Sequence, residues 1–407
     1  MQIAVEPFLK YRESYSTLLD SWKRRQEVSR SGACYTASMK IVEIDRSKPL
    51  RAQPHTGHNR WHPDIPAIVE AAPGEEVVLQ TRDSLDGQLT WKTTEADFAN
   101  LNPGPIHPLT GPVLIQGAKP GDLLEIEFLD IIPERFAFTC ILPGLGFLTD
   151  QLTTPFLVKW KIENGFATAE QLPGVRIAGA SFMGVSGTAP SHEKLREWTK
   201  READAMVTGK TIFPPDPGGA VPASGPAATH GLRTVPPREH GGNFDVKQLT
   251  KGSKLFLPVY VEGALFSTGD GHFAQGDGEV CVTAVEMAAT ASMRFQIHKG
   301  EASRKNINAP RFSHSGYFSD PQWASPKNFT ATMGMPIRQD GSNDAENLNL
   351  ATRNALLSMI DLLQDRGFSK EQAYCICSVA VDLRISNVVD VPNFVVSALL
   401  PEDIFIK

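Results

Sequence analysis

The chain has 407 residues, 41% of them hydrophobic and 21% charged, and a formal net charge of −6 at pH 7. That length and apolar content support two or three packed cores, and an acidic balance with no basic run among aromatics argues against a nucleic-acid binder. No apolar stretch reaches about 18 residues, and Glu6, Lys10, Arg12 and Glu13 break up the start, so a soluble cytoplasmic protein without membrane partners is expected.

In residues 1–38 the positions Phe8, Tyr11, Tyr15, Leu18, Leu19 and Trp22 recur at intervals of three and four, which predicts one amphipathic helix in an N-terminal extension without chemistry. Residues 39–170 read as a β-rich domain. Leu124, Ile126 and Phe128 alternate with Leu123, Glu125 and Glu127, and Pro-Gly, Asp-Gly and Asn-Gly turns recur throughout. Many short strands with dense turns predict a mainly β fold with a sandwich- or barrel-like core. His55, His58 and His62 resemble a metal cluster at first sight. Pro54, Pro63 and Pro66 forbid the helix that would align them, so a loop at the rim of a site is the preferred reading.

Residues 171–300 read as a central β-rich region. Within it, residues 191–206 have the charge and the Leu195, Trp198 and Met206 pattern of an exposed helix, and Gly184-Val185-Ser186-Gly187-Thr188 reads as a turn. Residues 211–239 contain Pro214, Pro215, Pro217, Pro222, Pro226, Pro236 and Pro237, which predicts a semi-rigid wrap over a site or onto a neighbouring subunit. The run Val280-Cys281-Val282-Thr283-Ala284-Val285 alternates like a strand and makes Cys281 a buried small hydrophobe, with a nucleophilic role a distant alternative. Residues 301–407 read as α+β, with a helix over 343–366 stopped by Gly367 and a second opened by a capping box at Ser369-Lys370-Glu371-Gln372. Asp382 and Arg384 fall on one side of a strand, where a structural ion pair or a subunit contact is expected rather than catalysis. Five scattered cysteines, Cys34, Cys140, Cys281, Cys375 and Cys377, form no disulfide framework.

The chemistry concentrates in two glycine-punctuated loops. One reads Glu239-His240-Gly241-Gly242-Asn243-Phe244-Asp245, and the other reads Gly269-Asp270-Gly271-His272-Phe273-Ala274-Gln275-Gly276-Asp277-Gly278-Glu279. Imidazoles and carboxylates on such loops suit a divalent metal of the zinc or manganese kind. The competing reading makes Asp270 and Asp277 turn residues and His240 and His272 exposed loop residues, because no strict zinc spacing is present. The chain has no G-x-S-x-G elbow, Walker A loop or strand-linked G-x-G-x-x-G, so neither a serine hydrolase nor a nucleotide site is read here.

These two loops together resemble the HGGN-x-D and GD-x-HA-x-QGDGE elements of the acetamidase/formamidase family. Collinear agreement continues through Asn59-Arg60-Trp61-His62-Pro63-Asp64-Ile65-Pro66, His107-Pro108-Leu109-Thr110-Gly111-Pro112, Gly117-Ala118-Lys119-Pro120-Gly121-Asp122 and Cys377-Ser378-Val379-Ala380-Val381-Asp382-Leu383-Arg384-Ile385-Ser386, from about Met39 onward. Phe273 stands where the family usually has Ala, and Val381 where a small Gly is common. The loop from Asp83 to Gln88 also falls on a family pattern, although by itself it reads as an Asp-Gly hairpin turn.

The resemblance implies hydrolysis of formamide or acetamide to ammonia and the carboxylate, a nitrogen-scavenging reaction, in a homo-oligomer. On that basis Asp83, His240, Asp270 and His272 are expected at or beside a zinc-like ion. Glu279 is expected as the proton-transfer carboxylate with Asp277 as its rival, and Asn243 and Gln88 as hydrogen-bonding partners of the amide, with Phe273 shaping the pocket. Asp245 and Glu286 are candidates to exchange roles with these. A γ-lactamase or longer-chain amidase, or a non-catalytic β-sandwich ligand-binding module, is the alternative.

Overall fold

The computed structural model describes residues 39–209, 211–315 and 328–406; the helix expected in residues 1–38 and Cys34 lie outside the described residues. The chain is mainly β. The elements that position the site are β1 (Glu76–Thr81), β2 (Leu109–Ile115), β3 (Leu123–Ile141), β4 (Phe156–Glu163), β5 (Phe182–Gly187), α1 (His192–Val207), β6 (Gly241–Asn243), β7 (Ser253–Pro258), β8 (Phe266–His272) and β9 (Glu286–His298). They are followed by β10 (Phe329–Gly334), α2 (Leu348–Asp365), α3 (Lys370–Ala380), β11 (Asp382–Asn387) and β12 (Val395–Pro401).

An antiparallel spine runs β4-β3-β9-β8-β5-β6, with β1 branching from β9, β2 from β8 and β7 from β3. A separate three-stranded sheet has the order β10-β12-β11. The strands do not close into a barrel.

The period-two pattern of β3 works as read on one face, where Leu124, Ile126 and Phe128 are buried, each such side chain contributing about 1.5–3 kcal/mol. On the other face Glu125 is buried as well. Lys254 at 2.6 Å neutralises it and His298 Nε2 lies 2.7 Å away, because a carboxylate out of water needs a cationic or hydrogen-bonding partner. One apolar cluster joins this sheet to the C-terminal helices, extending from Ala71 through Phe182 and Phe295 to Met359 of α2, Tyr374 of α3 and Ile404.

Two local readings are corrected. Residues 184–188 are no turn: Phe182–Gly187 is a strand buried along its whole length, because β6 and β8 pair with its two edges. Residues 280–285 form no strand. Val280 and Cys281 are both buried and Val282 takes φ +77°, so the alternation is broken by a loop that packs against α3.

The proline-rich stretch wraps the 57–64 and 103–107 loops. It contains one short helix, Pro226–His230, and a two-residue pairing of Leu232–Arg233 with Arg60–Trp61. The fully buried Arg60 guanidinium staples it by donating to the carbonyl oxygens of Asp216 (2.8 Å) and Gly218 (3.0 Å), and Asn59 Oδ1 accepts from Val221 N (2.7 Å).

Candidate metal centre

The site is built around the middle of β5. Val185 pairs with Asn243 of β6 on one side and Gly269 of β8 on the other, and Phe182 pairs with His272. The residue after β6 and the last residues of β8 therefore meet over the same stretch of backbone. Gly184 is what allows it: a Cβ at this position would lie 2.6 Å from Asp245 Oδ1 and 2.8 Å from Asp270 Oδ2. Asp245, Asp270 and Glu279 all take positive φ, at 49°, 59° and 43°. Such backbone is rare for residues with a side chain, and here it turns three carboxylates toward one point.

His272 stands at that point. Its Nε2 is 3.4 Å from Asp270 Oδ1, 3.2 Å from Glu286 Oε1 at the start of β9 and 4.0 Å from Glu279 Oε1. Gln275 orients the ring. Its Nε2 donates to the Asp245 carbonyl (2.7 Å), so its Oε1 faces His272 Nδ1 at 3.0 Å and makes that nitrogen the N–H. His107 approaches Asp270 Oδ2 at 4.0 Å, and its backbone N–H donates to Thr234 Oγ1 of the proline-rich wrap.

The electrostatics of the cluster are extreme. Burial would raise Asp270, but the His107 and His272 imidazoles hold it below the usual carboxylate range. Burial would lower His272, and the Glu286 and Asp270 carboxylates push it well above the usual imidazole value instead. Burial pushes Asp245 up to about 7, aided by the Asp270 and Glu286 carboxylates against the pull of His272. Glu279 is driven well above its ordinary value by burial and by Asp245 beside it. Asp245 Oδ1, Asp270 Oδ1, His272 Nε2 and Glu286 Oε2 are buried without a well-formed hydrogen bond. Four carboxylates gathered round one imidazole need protons or a cation to be stable out of water. Two groups, Asp245/His272/Glu279 and Asp270/His272/Glu286, each bring donor atoms within 4.8 Å of one another, so the residues fit a divalent metal.

The structure brings together Asp270, His272 and Glu279 of the expected set, along with Asp245 and Glu286. Asp83 lies beside them: its carboxylate accepts from Leu85 N (3.0 Å) and Gly87 N (3.1 Å), and burial, reinforced by the Asp86 and Glu286 charges, raises it to about 6. Asn243 is on β6 with its Oδ1 buried and unpartnered. His240 is elsewhere. Its ring is stacked by Trp198 at 4.9 Å and met edge-on by Trp61 at 4.8 Å. Those two rings share a cluster with Val185, the neighbour of Gly184. Successive strand residues face opposite ways, so His240 lies across the sheet from the carboxylates.

Gln88 has no free amide edge, since it donates to the carbonyls of Leu85 (2.8 Å) and Asn102 (3.0 Å) and accepts from Asn102 N (2.8 Å). The Asp277 carboxylate is 3.6 Å from Lys247 Nζ, and its N–H donates to Asp382 Oδ1 (3.2 Å) in a clamp that also includes Arg384. The Phe273 ring is buried in the main core, where a Cβ on Gly179 would come within 2.3 Å of it. Sequence reasoning gave no role to Gln275 or Gly184, and it placed His107 only with the loop histidines at the rim of the site. Gln275 stood inside the quoted loop, but its task depends on the carbonyl of Asp245, 30 positions earlier.

A sequence model of the acetamidase/formamidase family matches residues 43–407. The chain is 35% identical over 384 residues to a formamidase from Methylophilus methylotrophus, covering 90% of this chain and 93% of that protein. It is 36% identical over 364 residues to an acetamidase from Mycolicibacterium smegmatis, covering 83% and 88%. Among solved structures, a gamma lactamase from Delftia acidovorans superposes with a TM-score of 0.85 at 34% identity, covering 91% of this chain and 94% of that one. Profile, sequence relatives and structure agree over nearly the whole described chain, which therefore belongs to the acetamidase/formamidase family.

Proposed function

We propose that the chain is a metal-dependent amidohydrolase that cleaves formamide and acetamide to ammonia and the carboxylate. The observation that carries the reading is the buried convergence of Asp245, Asp270, His272, Glu279 and Glu286 with donor atoms lacking hydrogen bonds. The names of the sequence relatives support the substrate class. Asp270, His272 and Glu286 would hold a zinc-like ion, which when bound supplies Lewis acidity to a carbonyl and makes water more acidic. Gln275 prepares His272 for this by taking its Nδ1–H and leaving Nε2 toward the carboxylates, so metal binding competes with a proton there.

The amide bond demands a base for the incoming water and an acid for the departing nitrogen. Asp245 and Glu279, both pushed toward the protonated form and within reach of each other, divide one proton between them. The pair takes the water's proton and returns it to the nitrogen, a contribution of about 10²–10⁴-fold. Asn243 pairs directly with Val185, so its side chain shares the face of Trp61 and His240 and takes no part in holding the amide. Assembly as a homo-oligomer is carried over from the resemblance and a cytoplasmic location from the charged residues at the start of the chain, and they are read by sedimentation and fractionation.

A γ-lactam is the second reading, favoured by the likeness to the gamma lactamase at a TM-score of 0.85. Opening a lactam ring frees a primary amine but no ammonia, so two assays separate the readings. Ammonia release from formamide and acetamide that vanishes on chelator dialysis and returns with zinc supports the amidase. Amine release from a γ-lactam alone supports the second reading. Hydrolysis of neither leaves a binding module, and amide turnover that survives complete metal removal overturns the metal-dependent mechanism.

A further inference from the structure

Outside the carboxylate cluster, polar residues from three parts of the chain come together. His62 follows the Arg60–Trp61 pairing, Asp64 lies two residues on, His192 opens α1, and His230 ends the Pro226–His230 helix. We propose that His62, Asp64 and His192, with His230 beside them, form a second metal site that takes a zinc-class divalent ion independently of the Asp270/His272 centre.

His62 and His192 meet here round the Asp64 carboxylate, with His230 near enough to act on His62, and two imidazoles with a carboxylate are an ordinary zinc donor set. His192 Nε2 is 3.0 Å from Asp64 Oδ1 and His62 Nδ1 is 3.8 Å from Asp64 Oδ2. One donor atom from each of the three lies within 4.8 Å of the others. Bonds of about 2.0–2.1 Å to a tetrahedral ion set donors roughly 3.3 Å apart, so only a modest contraction is needed. The side chains of Asp64 and His192 are 54% and 57% exposed and free to make it, whereas His62 at 2% is a fixed wall.

His62 is prepared as a neutral ligand. Its Nδ1 accepts the Asp64 backbone N–H at 3.1 Å, which places a lone pair on the nitrogen nearest the carboxylate. An ion takes over that lone pair and returns the N–H to water. Burial, with His192 and His230 adding to it against Asp64, holds the His62 imidazole low. An ordinary surface ion pair between His192 and Asp64 does not account for the buried His62 ring, whose Nδ1 faces the same carboxylate.

The site ties the loop bearing Trp61 to the helix bearing Trp198, the two rings that enclose His240. A metal there reinforces packing and takes no part in turnover.

Titration of the purified full chain with Co²⁺, followed by absorption and by dialysis against Zn²⁺, tests this. His192→Ala and Asp64→Asn change exposed side chains, and each is expected to bind one equivalent per chain fewer than wild type while the metal-loaded protein keeps its amidase rate. Asp270→Asn is expected to keep that equivalent, together with a rise in thermal midpoint on adding Zn²⁺ that is lost when His192→Ala is combined with it. The proposal is overturned if His192→Ala and Asp64→Asn bind as many equivalents as wild type, or if Asp270→Asn abolishes all binding. Because the readout is stoichiometry, it is independent of whether any amide is hydrolysed.

Discussion

Burial and their mutual proximity push both Glu279 and Asp245 toward the protonated form, and the division of labour proposed for them is open to direct test. Glu279→Gln keeps the shape and removes the proton transfer. Turnover is expected to drop about 10²–10⁴-fold with metal content unchanged in elemental analysis; collapse of the metal content would make Glu279 a ligand. His240 makes a different prediction. Burial, with Arg238 adding to it, lowers its imidazole to about 3 from 6.5, and its Nδ1 donates to the Thr188 carbonyl. Below the unfolded value near 6.5 the unfolded chain binds a proton that the folded chain refuses, so the stability held by neutral His240 falls as pH drops from 6.5 toward 3. His58, lowered to about 4 by burial, acts with the same sign. In denaturant titrations across that window, His240→Asn is expected to lose stability less steeply with acid, by up to about 5 kcal/mol. An unchanged slope would contradict the neutral, buried ring.

At the scale of elements, β5 is the part on which the site depends most. Gly184→Ala places a methyl group within 2.6–2.8 Å of two carboxylate oxygens in a strand that is otherwise unaltered. Metal binding is expected to weaken and kcat/KM to fall about 10²-fold or more, since displacement of site groups by about 1 Å has that effect. Wild-type kinetics in that variant would mean that Asp245 and Asp270 need not close over the strand. The capping box of α3 makes the complementary case. Ser369 accepts from Gln372 N and Gln372 Oε1 accepts from Ser369 N at 2.7 Å, on the surface and far from the chemistry. Ser369→Ala is expected to lower stability by about 0.5–2 kcal/mol in denaturant unfolding and leave KM unchanged.

The whole molecule couples its C-terminal sheet to the carboxylate cluster through one clamp. Lys247, two residues after Asp245, pairs with Asp382 of β11 and lies 3.6 Å from Asp277, while Leu383 N donates to the Asp277 carbonyl. Close packing closes the same loop from behind, because a Cβ on Gly276 would lie 2.3 Å from the Val381 carbonyl oxygen. The loop that carries Glu279 is thus held by α3 and β11. Lys247→Met is expected to raise hydrogen exchange in residues 275–281 and to lower kcat more than it changes KM. Unaltered exchange there would remove the clamp from the account. Among the described residues no helix is long and apolar enough to cross a membrane.

Local interactions were readable from the chain alone. The Ser369 capping box, the buried Leu124, Ile126 and Phe128 of β3 and the Asp382–Arg384 pairing each follow from side chains a few positions apart. The density of His, Asp and Glu on glycine-rich loops likewise marked the region where Asp245, Asp270, His272 and Glu279 converge. Tertiary structure decided which of those side chains meet. His240 and Asp245 are five positions apart, yet they lie on opposite faces of the sheet once β6 pairs with β5. Glu286 joins His272 from 14 positions away because β8 pairs with β9, setting Glu286 directly opposite it. Residues 184–188 read as a turn only while their partners on β6 and β8 were unknown. Strand pairing and register are set by contacts distant in sequence, and a shift of one residue moves every side chain to the other face.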